Sequence, residues 1–301
     1  MTGAAAMREQ ALAAARAGRP DEAARLFEQA AHRHPQDAGL LNSIGNFHAG
    51  RGDDTAALAW FDRALAAMPG HPEAGVNRAV VLTRNGRGSE AAAFLRAGER
   101  ALAVHPRYWS ARGSAELAAG TPAAAARSYD RILRADPRHS RALQGRAQAA
   151  LDLGAPDAVG CYERALATVP GDPWLIRGLA QALEAAGRIG EALPWTEALA
   201  TQAPHWLEGL EQHAATRWAA GDRERFCDHY AVAAARAPSP ALYRSWAAML
   251  SGVDRPAVAA DAAAAGRQKY PQDTGLALTE AVAAGEAGDH ARAEAIFEKW
   301  A

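Results

Sequence analysis

The chain has 301 residues, with 33 Lys+Arg against 34 Asp+Glu and a net charge of −1, a balance that argues against a nucleic-acid binder driven by phosphate attraction. Hydrophobic residues supply 49% of it, much of that alanine, which is ample for a core and favours helix. No stretch of about 18 apolar residues is free of charge, so no membrane-spanning helix is expected.

Met1 to Ala17 carries Arg8, Glu9 and Arg16 and has no apolar run, so it does not read as a secretory leader. The two cysteines, Cys161 and Cys227, lie too far apart along a repeat array to pair; a reducing compartment, and by default the cytoplasm, is expected.

Prolines set the rhythm from there on. Pro35, Pro69, Pro106, Pro137, Pro170, Pro204, Pro238 and Pro271 follow one another at 34, 37, 31, 33, 34, 34 and 33 residues. A near-constant period of this size predicts one structural unit stacked many times, in repeats 4–35, 36–69, 70–106, 107–137, 138–170, 171–204, 205–238, 239–271 and an incomplete 272–301. In the second repeat, Leu40, Leu41, Ile44 and Phe47 recur at helical spacing and predict a helix over 38–49. Gly50, Gly52 and the Asp53–Asp54 pair end it and cap the next. Ala57, Leu58, Phe61, Ala64 and Leu65 form a second apolar face, stopped by Pro69–Gly70. Two antiparallel helices result; Gly45 and Ala57 let their backbones approach, with Phe61 beside them.

The same order returns as Gly18, Ala23, Phe27 and Ala30 in the first repeat and as Trp109, Gly113, Gly120, Ala125 and Tyr129 in the fourth. It returns again as Gly145, Ala158, Tyr162 and Ala165 in the fifth, Ala180, Gly187 and Ala192 in the sixth, and Ala214, Gly221 and Tyr230 in the seventh. This pattern resembles the tetratricopeptide repeat over essentially the whole chain. The resemblance implies an all-α fold, a single right-handed α-α superhelix of helix-turn-helix repeats, acting as a scaffold that binds a protein or peptide along the inner wall lined by the first helix of each pair.

Local departures carry their own expectations. Three extra residues before Pro106 imply a longer or bulged second helix in the third repeat. Pro194 should kink the second helix of the sixth or delay its start to Leu193. The eighth has Ala263 where the aromatic belongs, a gap for Tyr243 and Trp246 to fill. At the end, Ile296, Phe297 and Trp300 are expected to expose apolar surface. That suggests either self-association through the last helix or a longer parent chain. In the latter reading, this is the substrate-recruiting region of a larger bacterial enzyme of glycosyltransferase, sulfotransferase or iron/2-oxoglutarate oxygenase type.

The inward positions are Asn42, Asn46, Asn77, Arg107, Ser110, Ser114, Arg146, Arg177, Gln181, Trp218 and Arg244. An Asn side chain both accepts and donates, so a row of them can grip a peptide main chain. The row is similar to the asparagine ladder of long tetratricopeptide superhelices and to part of the family's carboxylate clamp: Asn46 and Asn77 match its two Asn and Arg107 a Lys. Asn42 and Ala111 break two further clamp positions, so chaperone-tail binding is not expected. Arg146, Arg177 and Arg244 suit an acidic group, with Glu208 and Glu211 weakening that preference. Trp60, Trp109, Trp195 and Trp246 read as packing residues; Trp174, Trp206 and Trp218 read as exposed contacts. The histidines before prolines read as repeat-end residues, and Cys227 and His229 point to different faces. No phosphate loop, no His-Glu-x-x-His and no Gly-x-Ser-x-Gly occurs, so neither catalysis nor a cofactor is expected.

Overall fold

The computed structural model describes residues 3–300, less the side chain of Trp300. The described residues are all-α and fall into two compact units, Met1–Ala155 and Pro156–Ala301. The first unit holds α1 (Gly3–Arg16), α2 (Pro20–Arg33), α3 (Ala38–Gly50), α4 (Asp54–Ala67), α5 (Pro72–Arg84), α6 (Gly88–Ala97), α7 (Glu99–Leu102), α8 (Tyr108–Ala118), α9 (Pro122–Ala135) and α10 (Ser140–Asp152). The second holds α11 (Ala158–Thr168), α12 (Pro173–Ala185), α13 (Ile189–Gln202), α14 (Leu207–Ala219), α15 (Asp228–Arg236), α16 (Pro240–Ser251), α17 (Pro256–Lys269), α18 (Thr274–Glu286) and α19 (His290–Trp300). Within each unit, successive helices pack as pairs, and the first helix of one pair also touches the first helix of the next.

The turn inside each pair needs one residue in the left-handed region. Gly52 (φ 78°) supplies it after α3, and glycines at the same place in the period do so elsewhere. At Asp254 (φ 61°) a residue with a side chain holds that conformation instead. The helices then start on caps the sequence provides. Asp37 and Asp53 accept from Leu40 and Ala56 N–H, and Asp172 from Trp174 and Leu175. His71 and His139 do the same through Nδ1, accepting from Ala74 and Ala142 N–H. Of the histidines at repeat boundaries, His71 and His139 are therefore helix caps.

Helix contact rests on an aromatic knob against a glycine. A Cβ on Gly45 would lie 2.5 Å from the Phe61 ring, and Tyr129 fills the space of a Cβ on both Gly113 and Gly145. Tyr162 does so at Gly178. The eighth repeat inverts the device: Tyr243 on the first helix presses on Gly266 of the second, which answers the gap left at Ala263. Two buried carboxylates are each neutralised in place. Glu116 accepts from Arg112 and Ser128, and Glu280 pairs with Arg292 and Arg267.

Three expectations need correction. The extra residues of the third repeat produce a break: α6 ends at Ala97 with Gly98 as its cap, and α7 turns Leu102 back onto Gly75, where it is buried. Pro194 does not delay α13, which begins at Ile189 and runs through it; at this depth the missing N–H forfeits a single bond, to the Gly190 carbonyl. Ile296 is buried against Ala277 and Ala281, because the alanines of α18 leave a trough for it within its own pair. Phe297 is exposed, and the side chain of Trp300 lies outside the described residues. No helix among the described residues is long and apolar enough to cross a membrane.

Candidate functional site

In the first unit the structure brings Asn42, Asn46, Asn77 and Arg107 together across α3, α5 and the start of α8. Arg107 can only donate, and its guanidinium gives a 2.6 Å bond to Oδ1 of Asn77. The Asn77 amide is thereby fixed in direction. Its Nδ2 donates to Oδ1 of Asn42 at 3.1 Å and to Oδ1 of Asn46 at 2.9 Å. Asn42 in turn donates to the Glu73 carboxylate at 3.2 Å. Asn42 and Asn77 are buried and bound to their neighbours, whereas Asn46 is exposed. What the network leaves open is the Asn46 NH2 and the remaining N–H groups of Arg107. Both are donors, so this wall is set to receive an acceptor such as a peptide carbonyl or a carboxylate.

Two hollows adjoin the network. One, of about 420 Å³, is lined by Arg107, Ser110, Ser114 and Arg141, with Val80 and Ile132 giving an apolar part. Arg141 stands one period after Arg107 and makes no hydrogen bond or ion pair with the described residues; Arg84, also on the rim, is held by Asp54. Ser114 shares a hydrogen bond with the Tyr129 hydroxyl at 3.1 Å. The other hollow, of about 510 Å³, lies between α1 and α3 and is lined by Asn46, Ser43, Phe47 and Leu12. Nearby, burial and then the Arg107 charge lower the pKa of His105, which leaves its ring without competing charge. Arg146, unlike Arg107, has its charge already offset by an ion pair, Nε donating to Asp130 at 3.1 Å.

The second unit holds a separate polar network. Gln212 donates to both oxygens of Glu184 and accepts from Gln181 Nε2 at 3.1 Å. Thr216 also donates to Glu184. Arg244 is taken up by both oxygens of Asp273 at 2.8 and 3.0 Å. Glu211 accepts from Ser245, whose hydroxyl meets that of Tyr230. Arg177 has no hydrogen-bond or ion-pair partner among the described residues and lies 6.0 Å over the Trp174 ring. Trp218 is half-buried against Phe226 with Arg223 stacked 3.8 Å over it, and Trp206 is half-buried as well, so the reading of both as exposed contacts is corrected. Trp195, expected to pack, is 41% exposed. No group of three or more metal-ligating side chains forms among the described residues.

Sequence reading missed Glu73, Glu184, Gln212, Thr216 and Arg141. The period contained signals for two of them: Glu73 precedes Asn77 by one helical turn, and Arg141 repeats the place of Arg107.

Comparison with known proteins adds the relatives. Models described as tetratricopeptide repeat match residues 8–72, 110–173 and 154–205, and a second such model matches 48–115. Human tetratricopeptide repeat protein 7B is 30% identical over 112 residues, which is 37% of this chain and 13% of that protein. A tetratricopeptide repeat protein from Parabacteroides merdae superposes with a TM-score of 0.64 at 18% identity, covering 83% of this chain and all of that one. The type IV pilus biogenesis factor PilW gives 0.60 at 18%, over 68% of this chain and 96% of its own. YrrB, a tetratricopeptide repeat protein with an unusual peptide-binding site, gives 0.52 at 17%, over 62% and 96%. At these identities the likeness is one of fold. With the repeat models spanning more than half of its length, the chain belongs to the tetratricopeptide repeat family.

Proposed function

We propose that this protein-interaction scaffold holds an extended peptide against the first helices of its N-terminal unit, with an acceptor group of the peptide on Asn46 and Arg107. The observation that carries the reading is the direction of the Asn77 amide, which Arg107 sets and which leaves donors outward. The adjoining hollow supplies Arg141 for a carboxylate and Val80 with Ile132 for an apolar side chain. Arg107 and Arg141 thus replace Arg146 and Arg244 as the cations facing an acidic group, since the latter two are occupied by Asp130 and Asp273. That YrrB, of the same fold, has a peptide-binding site is consistent with this use of the wall.

The test is a peptide array probed with the full chain and with Asn46→Asp, which keeps the shape and replaces both donors by acceptors. Peptides selected by the parent should bind the variant about tenfold more weakly, the worth of one or two charge-assisted bonds. Unchanged binding would place the peptide elsewhere.

A further inference from the structure

The second unit carries an aromatic corner that the asparagine wall does not use. Trp174 occupies the first turn of α12, whose N–H groups at Trp174 and Leu175 are fixed by the Asp172 cap, and yet its side chain is 60% exposed. Trp206 stands beside it at the cap position of α14, ring centroids 4.8 Å apart and planes at 66°. Trp206 is itself pinned: a Cβ on Gly209 would come within 2.7 Å of its ring, so the absent side chain is what seats it. One indole is thus braced by the fold and holds the other upright in solvent. An apolar ring so exposed on a capped helix turn gains nothing for the fold, and it is pre-organised for a contact.

Arg177, one turn along α12, narrows the chemistry. Its guanidinium lies 6.0 Å over Trp174, its Nε is buried without an acceptor, and no carboxylate among the described residues pairs with it. A partner's Lys or Arg, the usual cation for an indole face, would be repelled by this charge. The corner instead fits a compact apolar ring that can pack on the indole, next to a carbonyl that lacks a donor. Extended proline segments present both, since their carbonyls make no internal hydrogen bonds and their backbone loses little entropy on docking.

We propose that Trp174, Trp206 and Arg177 form a docking site for a proline-containing extended segment of a partner protein. This site is independent of the asparagine wall. The test is titration of the full chain with a decaproline peptide, read by calorimetry and by the indole N–H signals in a ¹H–¹⁵N spectrum. The signals of Trp174 and Trp206, identified with Trp174→Phe and Trp206→Phe, should shift, and Trp174→Ala and Arg177→Gln should each weaken binding about fivefold or more, the worth of one aromatic or charged contact. Trp174 is exposed, so its replacement should leave the melting temperature unchanged, and Asn77→Ala should leave decaproline affinity unchanged. Absence of decaproline binding, equal affinity in Trp174→Ala, or tighter binding of an oligo-glutamate or oligo-lysine peptide of the same length would overturn the proposal.

Discussion

The two units build polar networks of opposite sense from the same kind of part. In the first, a cation at the end of the chain of amides, Arg107, turns Asn77 so that the exposed Asn46 offers N–H groups. In the second, a carboxylate anchors the network: Glu184 takes the NH2 of Gln212, Gln212 therefore accepts from Gln181, and the Gln181 carbonyl remains open. An amide side chain has no intrinsic polarity toward a ligand; the fixed charge at its other end supplies it. One repeat architecture can thus present donors on one stretch and an acceptor on another by changing a single charged residue per network.

The largest effect should come from reversing that charge. Arg107→Glu would accept where Arg107 donates, flip Asn77, and leave Asn46 presenting its carbonyl. Peptides selected by the parent should then bind about a hundredfold more weakly, as expected when a charge-assisted bond becomes like-charge repulsion. If affinity is unaffected, the contrast between the units has no bearing on binding.

Removing the central amide separates the units by stability. Asn77→Ala strands the acceptors of Asn42 and Asn46 and the Arg107 guanidinium, at a cost of about 2 kcal/mol in urea denaturation. Gln212→Ala should cost less, about 1 kcal/mol, because Thr216 still donates to Glu184. Equal losses would show that the first network is no more tightly interlocked than the second.

Acid should also discriminate between them. His213 and His229 of the second unit meet edge to face at 4.1 Å, beside a hollow of about 430 Å³. The Thr196 hydroxyl is within hydrogen-bond distance of the Leu193 carbonyl, at 3.1 Å, and of Nδ1 of His213, at 3.0 Å. Burial first, then His229 and Arg217, push the His213 pKa down to about 3, with Asp222 opposing; burial and Arg217 lower that of His229. The His213 ring stays neutral in the folded chain down to about pH 3, and His229 resists protonation in the same direction, while the unfolded chain takes up protons below about pH 6.5. Stability should accordingly be full above pH 6.5 and fall as pH drops toward 3, by at least about 1 kcal/mol at pH 5. His213→Gln should flatten that slope in denaturation curves recorded from pH 7.5 to 5.

Much of the fold can be read from the period itself. The prolines locate the ends of pairs, and the glycine-against-aromatic device is visible as Gly45 with Phe61 or Gly113 with Tyr129, because both members recur at fixed places. The juxtaposition of Asn42, Asn46 and Asn77 is readable for the same reason. The availability of the arginines is not. Arg146 is spent on Asp130, 16 residues earlier, and Arg244 on Asp273, 29 residues later, offsets set by side-chain reach between helices and absent from the repeat period. Ile296 illustrates the same limit: its burial depends on two alanines of α18, which a hydrophobic pattern counts as face but which act as a trough.

The smallest effect concerns the turns within pairs. In the first unit, every such turn takes its left-handed residue as glycine, at Gly18, Gly52, Gly86 and Gly120; in the second, Asp254 breaks the series between Gly221 and Gly288. A side chain at φ 61° crowds the following carbonyl, and Asp254 tolerates this better than most residues without escaping the cost. Asp254→Gly should therefore stabilise the chain by about 0.5–1 kcal/mol, the relief of strain being partly offset by the greater freedom of glycine in the unfolded state. The converse change, Gly52→Asp, should destabilise by a similar amount, since no atom lies within 4 Å of a Cβ there and only the backbone conformation resists it. Urea midpoints of both variants and of the double exchange would measure the effect. If Asp254→Gly destabilises, Asp254 contributes an interaction that outweighs its strained backbone, and the second unit's exception to the glycine series is a stabilising one.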